Sequence, residues 1–491
     1  MVRPHSTFLF TMIRLAEGAS EQAQPAADNH MDHKILSKAE RRKQGRALRE
    51  KHSRSAHAKW NPRSRTHDAV RLLEESNSDR IPGLIAVRYG RMAQSPFSFF
   101  RGSAIIQARD LMKSPASGIT VQVCGDCHLM NFGGFATPER SLAFDINDFD
   151  ETYPGPWEWD IKRLVTSMVL AARDRGFSKK AADSAVRAVI ETYRTRMSAF
   201  AEMSVLDIWY SQITIDDLRE FFRGNKDMMN RLNRKEKQAG SRTSEAVFPK
   251  LTEEVDGRRR IVDDPPFIYH FHENIPEYEK AQQHFIEHYK ASLQEDRRRL
   301  YDRYKLQDVA IKVVGVGSVG TRCFVSLQLA DDDDPLFLQV KEARRSVLEP
   351  PGRRSRFAHQ GERIVTGQRL MQAASDIFLG WASVPDGHDY YVRQLRDMKV
   401  SAEIDKFLPK TLTSYAKMCG WALARAHAKA GDTCMIAGYL GSSDRFDDAL
   451  VKYAEAYADQ VERDYETFRK AVRTGRIHTD TDETASLSFL L

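Results

Sequence analysis

No apolar run in this chain approaches the roughly twenty residues that a membrane-spanning helix needs. The longest, Leu164 to Ala172, is half that length. Mean hydropathy is -0.53. With 41% hydrophobic and 29% charged residues over 491 positions, the chain can bury one large core or two ordinary ones. Cysteine is scarce: Cys124, Cys127, Cys323, Cys419 and Cys434 form an odd, widely spaced set. That excludes a disulfide-stapled miniprotein and suits a reducing, cytoplasmic setting. A secretory leader is not expected, because Arg14 cuts short the apolar stretch from Phe8 to Ile13 and no small-residue cleavage site follows. Residues 1–33 read as a disordered extension, and no internal repeat is present.

Charge is unevenly placed. The net charge is +7 and the pI 9.0, yet residues 34–65 carry twelve Lys or Arg against Glu40 and Glu50. This local +10 leaves -3 for the remainder, so the pI describes a segment. Such a basic arm has the charge to meet nucleic acid or anionic lipid. Trp60 is its only aromatic, however, and a solvated basic helix is the preferred reading.

Regular folding is expected from about Thr66. Helical spacing covers 98–112, a β-branched strand covers 119–123, and a loop with Gly125, Asn131, Gly133 and Gly134 leads to a second strand at 142–146. Residues 157–203 and 276–304 repeat apolar positions at helical intervals, with a polar, looped stretch from 240 to 264 between them. The period then changes to two across 309–313, 323–329 and 336–341, with Asp331 to Pro335 as a hairpin turn. Helix returns at 363–378, 413–430 and 447–472, and a short strand covers 390–394. The class is α+β. The expected divisions are 1–33, the basic arm 34–65, a catalytic-loop half and helical lobe at 66–304, a β-rich lobe at 305–400, and completing helices at 401–491.

Three motifs carry candidate chemistry. Cys124-Gly125-Asp126-Cys127-His128 matches the C-x-x-C-H pattern of haem attachment, which requires an oxidising, exported setting. The same stretch reads as Gly125-Asp126-x-His128-x-x-Asn131, followed by a strand and Asp148-Phe149-Asp150-Glu151. A carboxylate to accept a hydroxyl proton, an amide five residues later and an acidic group after the next strand are the parts phosphoryl transfer requires. Asp126, His128 and Asn131 are thus catalytic candidates, and Asn131, Asp148 and Asp150 candidate magnesium ligands. A structural Gly-Asp turn is the plainer alternative. The second motif is Gly315-Val316-Gly317-Ser318-Val319-Gly320. A dinucleotide loop would open into a helix, whereas Thr321 to Ala330 alternates like a strand. A phosphate-covering hairpin predicts a lysine on the next strand, and Lys341 stands there. Gly315, Gly317, Ser318, Gly320 and Lys341 are therefore candidate ATP contacts, against the alternative of an ordinary hairpin with a surface lysine. Third, Glu362 opens the following helix as a candidate partner of Lys341, and Gln394 and Leu395 end a strand suited to hold an adenine.

These motifs, together with Phe99-Phe100-Arg101-Gly102, Asp145-Ile146-Asn147-Asp148-Phe149-Asp150 and Gly367-Gln368-Arg369-Leu370-Met371-Gln372, resemble the bacterial proteins catalogued as domain of unknown function 2252, from about Gly45 to Tyr457. They are also similar to those of aminoglycoside and choline kinases of the protein-kinase-like superfamily. That resemblance implies a two-lobed fold with a largely helical C-lobe. It implies Asp126 as catalytic aspartate, Asn131 and Asp148 as magnesium ligands, and Asp160 as the buried aspartate that follows. Cys124 stands where those kinases usually have histidine. Asp126 also precedes Gly315 by 189 residues, the reverse of their order, which implies a circularly permuted chain. The helix from Trp421 to His427 is similar to the one that precedes the catalytic loop in those enzymes.

The function expected is ATP- and magnesium-dependent phosphotransfer to an unidentified small-molecule or protein acceptor. The alternative is a nucleotide-binding or degenerate kinase-like module acting through partners. Asp216 and Asp217 near Trp209 and Tyr210 are candidates for binding a cationic acceptor.

Overall fold

The basic arm opens with a helix that is solvated on one face, where Lys43, Arg46 and Lys51 are exposed, and folded onto the body on the other. In the computed structural model, which describes residues 35–480 apart from 266, 271–275, 314, 316, 353–354 and 396–397, Lys38–Lys51 forms helix α1. The helix has little apolar surface, and close backbone approach seats it. A Cβ on Gly45 would lie 2.0 Å from the Met435 carbonyl oxygen, and one on Gly438 would lie 2.3 Å from that of Arg42. Arg49 Nε donates to Tyr439 O at 2.8 Å, and Arg54 donates to Leu440 O. The cations thus satisfy carbonyls at the C-terminal end of helix Thr433–Leu440, where the helix dipole favours positive charge. Ordered structure begins well before Thr66. Of residues 1–37, which cluster separately, only 35–37 are described.

Four short helices follow: α2 (Ala69–Glu75), α3 (Pro82–Met92), α4 (Pro96–Gly102) and α5 (Ala104–Leu111). The single helix expected over 98–112 breaks at Ser103, with φ -124° and ψ 38°. Gly102 meets α3 at the break, where a Cβ would sit 2.6 Å from the Met92 side chain.

Strand β1 (Thr120–Val123) leads to the hairpin β2 (Phe132–Ala136) and β3 (Leu142–Ile146), and β4 (Tyr153–Pro156) returns to pair with β1. Helices α6 (Glu158–Asp174) and α7 (Lys179–Phe200) form the helical core, with α8 (Val205–Tyr210), α9 (Ile215–Phe221) and α10 (Lys226–Gly240) beside them. The stretch 240–264, read as loop, contains α11 (Ser244–Leu251) and the hairpin β5 (Thr252–Val255) and β6 (Arg258–Ile261). Its strands lack apolar alternation. Glu253 faces Arg260 and Glu254 faces Arg259, so opposite charges take the cross-strand role that apolar pairs usually fill.

Strand β7 (Ile268–Tyr269), helices α12 (Pro276–Ser292) and α13 (Glu295–Tyr301), strands β8 (Lys305–Lys312), β9 (Cys323–Leu329) and β10 (Pro335–Glu342), helix α14 (Gln360–Met371), and strands β11 (Gly380–Ser383) and β12 (Asp389–Gln394) follow. The six strands form an antiparallel sheet of order β11-β12-β10-β9-β8-β7. Helix α12 packs on it: Tyr289 Oη donates to Phe378 O at 2.6 Å, and Ser292 Oγ accepts from Trp381 N at 2.9 Å. The sheet side therefore recruits residues before 305. β13 (Val400–Ser401) joins β2, and α15 (Pro409–Ala430), α16 (Thr433–Leu440) and α17 (Arg445–Arg473) complete the helical core. Gly420 lets α15 lie against α7, since a Cβ there would meet Val189 O at 2.3 Å. Helices and antiparallel sheet are segregated, which is the α+β class.

Candidate functional site

Beyond β1 the chain turns sharply at Gly125, where φ is +89° and a Cβ would lie 2.3 Å from Glu151 O. Only glycine fits both conditions. The turn is held from beneath by Asp160, in the first turn of α6, which accepts from Cys124 N at 2.8 Å and Gly125 N at 3.0 Å. His427 of α15 approaches the same carboxylate at 3.2 Å, with its other ring nitrogen 2.9 Å from Tyr193 Oη.

Asp126 projects from this turn. Its Oδ1 accepts from Arg163 Nε at 2.7 Å, and the buried guanidinium of Arg163 also donates to Phe100 O at 2.8 Å while lying 3.8 Å over the Phe100 ring. Asn131 Nδ2 donates to Asp126 O at 2.7 Å, which fixes the amide and leaves its Oδ1 as an acceptor. His128 Nδ1 accepts from Met130 N at 3.2 Å, and its Nε2 lies 3.9 Å from Asp126 Oδ2. Burial, helped by the Arg101 and Arg163 charges, holds His128 well below the usual histidine range. The ring is therefore neutral, with its proton on Nε2 facing Asp126. Burial pushes Asp126 itself up, against the opposing pull of Arg163 and Arg101.

Past β3, Asp148 Oδ1 accepts from Asp150 N at 3.1 Å. Asp150 is fully engaged: Oδ2 accepts from Lys341 Nζ at 2.7 Å and Oδ1 from Tyr391 Oη at 2.6 Å. Lys341 and Tyr391 are direct cross-strand neighbours on β10 and β12, so one sheet presents both to one carboxylate. The expected lysine partner, Glu362, is thus replaced by Asp150. The adjacent Arg363 explains why: it donates to Asp150 O at 2.9 Å and to Thr152 O, and consecutive helix residues point about 100° apart. Asp150 serves Lys341 rather than standing open to a metal. Asp148 keeps one oxygen without a hydrogen bond among the described residues, and burial with the neighbouring Asp150 charge pushes it up. A cation beside it would reverse that shift.

These groups line one cleft of about 720 Å³, together with Gly315, Gly317, Ser318, Gln394 and Leu395. Gly320 and Glu362 do not line it. Gly320, at φ +83°, anchors the loop instead: its carbonyl accepts from Ile81 N at 2.8 Å, and Arg80 bonds Gly317 O at 3.0 Å and Val319 O. The N–H groups of Gln394 and Leu395 are already engaged, with Asp376 and with Phe337 O, so the hinge has no free donor at these two positions. The cleft also holds residues that sequence reasoning passed over. Arg101 and Lys399 line it, as does Arg393, which donates to Asn147 O at 3.1 Å, while Arg163 stands behind Asp126. Arg163 had a usable signal, standing three residues after Asp160 and so on the same helix face.

Other candidates lie elsewhere. Trp209 and Tyr210 are 49% and 72% exposed outside the cleft, Asp216 pairs with Arg219, and Asp217 caps α9, so no cationic pocket forms from them. Cys124 and Cys127 are fully buried under the loop, and burial pushes the Cys127 thiol up to about 11. With Asp160 the two thiols bring three buried ligand atoms within 4.8 Å of one another, but both Asp160 oxygens are already used by the backbone of the turn.

The molecule is thus an α+β protein with a carboxylate-bearing cleft lined by residues of both the sheet and the helical core. Residues 80–471 match the family model described as "Uncharacterized protein conserved in bacteria (DUF2252)", and the chain belongs to that family. The match opens at Arg80, which pins the glycine loop, and closes within α17. No curated protein and no solved structure matches the chain.

Proposed function

We propose that the protein is an ATP- and magnesium-dependent phosphotransferase of kinase-like, two-lobed and circularly permuted fold. The observation that carries this is the 2.7 Å contact between Lys341 and Asp150, which joins the lysine strand to the acidic loop across 191 residues of chain, in the cleft that Asp126 also lines. The order strand, glycine loop, strand, lysine strand, helix supports it, as does the Asp160 clamp beneath the Asp126 turn.

In this reading Asp126 Oδ2, the oxygen that Arg163 leaves open, accepts the acceptor hydroxyl's proton as the new O–P bond forms and ADP departs. Asn131 fixes the loop through its amide and His128 orients the carboxylate. Lys341 supplies a fixed positive charge for the nucleotide phosphates. Asn131 Oδ1 and Asp148 are the fitting ligands for magnesium, which when bound neutralises phosphate charge.

One observation favours a nucleotide-binding module without transfer: Asp126 is already ion-paired with Arg163, as a structural carboxylate would be, although burial still holds it above its usual range. Asp126→Asn separates the two readings. Phosphotransfer or slow ATP hydrolysis should fall about 100-fold or more while ATP affinity stays within a few-fold. Unchanged turnover sinks the catalytic reading, and ATP binding by a wild type without turnover establishes the module.

A further inference from the structure

One wall of the cleft is built by residues 75–109, which precede the three motifs given candidate chemistry above. Arg80, Arg88, Arg101 and Arg109 all line the cleft from this segment. None of the four has a carboxylate partner among the described residues. Arg80 bonds loop carbonyls, Arg88 bonds Asn77 Oδ1 and Gly102 O at 2.6 Å each, and Arg109 reaches Glu349 O at 3.3 Å. Arg101 is barer still: its Nε is buried without a partner, and no hydrogen bond or ion pair reaches its guanidinium among the described residues.

The acidic groups on this side are engaged elsewhere: Asp126, the carboxylate that acts on Arg101 through space, is paired with Arg163. Glu349 is paired with Arg345, and Glu75 with Arg71. Burial pushes Glu151 up to about 7. Positive charge on this scale, in a partly desolvated cleft, is unfavourable until an anion is present.

The position of the wall matters as much as its sign. Arg163, which holds Asp126, also bonds the carbonyl of Phe100 and stacks on its ring, so Arg101 follows directly on the residue packed behind the base. The glycine loop touches the same place, since a Cβ on Gly317 would lie 3.4 Å from Arg101 O. Lys341, Asp148 and the glycine loop account for a nucleotide. The arginine wall adjoins the oxygen of Asp126 that faces an acceptor.

We infer that the second substrate is an anion, a hydroxyl compound carrying phosphate or carboxylate, seated against Arg101 and held in the field of Arg80, Arg88 and Arg109. The word substrate rests on the phosphotransferase reading; the anion site itself does not. This replaces the cationic acceptor suggested by Asp216 and Asp217.

The test uses the full chain saturated with Mg-ADP, titrated by calorimetry with glycerol 3-phosphate, glucose 6-phosphate and citrate, and with glycerol and glucose as neutral controls. The phosphates or citrate should bind and the neutral compounds should not. Which of the two classes binds tells phosphate from carboxylate recognition. Arg101→Gln should weaken the anion roughly 10- to 100-fold, as expected for a lost charge-assisted hydrogen bond, with Arg101→Lys recovering part of it. The inference is overturned if no anion binds, if Arg101→Gln binds as well as wild type, if the anion displaces ADP, or if Mg-ADP affinity falls in parallel, which would assign the arginine to the nucleotide. Anion binding without ATP turnover would instead end the phosphotransferase reading and leave the anion site standing.

Discussion

Replacing Lys341 by methionine tests the contact on which the site depends. Methionine keeps the length of the side chain and much of its packing but removes the ammonium, so Asp150 is left with Tyr391 alone and with Asp148 nearby. Breaking a buried ion pair by deleting one partner costs about 3–5 kcal/mol, mostly because the other charge is stranded. The lysine side chain is 5% exposed and the aspartate 27%, which places the expected loss near the lower end, about 3 kcal/mol. Asp150→Asn in the same chain removes the stranded charge and keeps an oxygen for Tyr391. The double variant should therefore recover most of the stability, with a coupling energy of about 2 kcal/mol.

The sign of the pH dependence is an independent check. Burial raises Asp150, but the charge and hydrogen bond of Lys341 outweigh it and hold the carboxyl below its usual range. Its stabilising contribution is therefore present above about pH 4 and is lost as pH falls below that value. In Lys341→Met burial is no longer outweighed by the lysine, so Asp150 takes up its proton at higher pH than in the wild type, and the penalty should be full at pH 7 and already shrinking as pH falls to about 4. Urea midpoints at pH 7 and pH 4, with unchanged m-values, measure both effects. ATP affinity, by contrast, should stay low in the single and the double variant alike. A loss under about 1 kcal/mol that does not vary with pH would refute the buried pair, and restored ATP binding in the double variant would refute the role given to the lysine.

The remaining predictions concern the frame around the site. Glu151, pushed by burial to about 7, binds a proton in the folded state that the unfolded chain has lost, so stability should fall as pH rises from about 4.5 to 7 and level off above. Glu151→Gln should flatten this slope, worth at most about 3 kcal/mol, in thermal melts from pH 4.5 to 8; an unchanged slope would place the titration elsewhere. Gly361→Ala would put a Cβ 2.2 Å from the Tyr390 carbonyl oxygen and lift α14, with Arg363, off the sheet. A loss of about 2 kcal/mol or more is expected, and a neutral substitution would contradict that close approach.

Much of the frame was legible because it rests on local pattern. Period-two alternation marked β8, β9 and β10, and the glycine cluster followed by a strand rather than a helix placed Lys341 on β10. The spacing from Asp126 to Asn131 proved to be the reach of an amide back to its own loop. What failed depends on partners distant in sequence. Glu362 was a reasonable candidate because it opens the next helix, yet the rotation of α14 points Arg363 at the acidic loop, and rotation is set by packing on the sheet. The basic arm is a helix with a solvated face, as read, but composition does not reveal that carbonyl groups nearly 390 positions away receive Arg49 on its other face. Arg101 sits in an aromatic stretch that reads as core, and nothing local says that its head group lines the cleft with no ion-paired partner among the described residues.

Chain order is the strongest objection to the kinase-like reading proposed above, and its physical cost can be weighed from the contacts. The turn that carries Asp126 needs a floor, and the floor comes from two distant parts of the chain: Asp160, close in sequence, and His427 on α15, 267 residues later. Gly431, at the end of that helix, lies close enough to β1 that a Cβ would meet Val121 at 2.3 Å. Folding energy depends on which groups meet, and chain order enters through loop closure, whose cost grows only as the logarithm of loop length. Moving α15 from one end of a chain to the other therefore changes the connections at modest cost while leaving the contacts intact, provided the new ends reach the surface. In this chain the N-terminal segment has a position beside the Asp126 turn, and α3, α4 and α5 fill it with arginines that line the cleft. In the phosphotransferase reading the altered order is thus the means by which this chain gained an anion-binding wall next to its base.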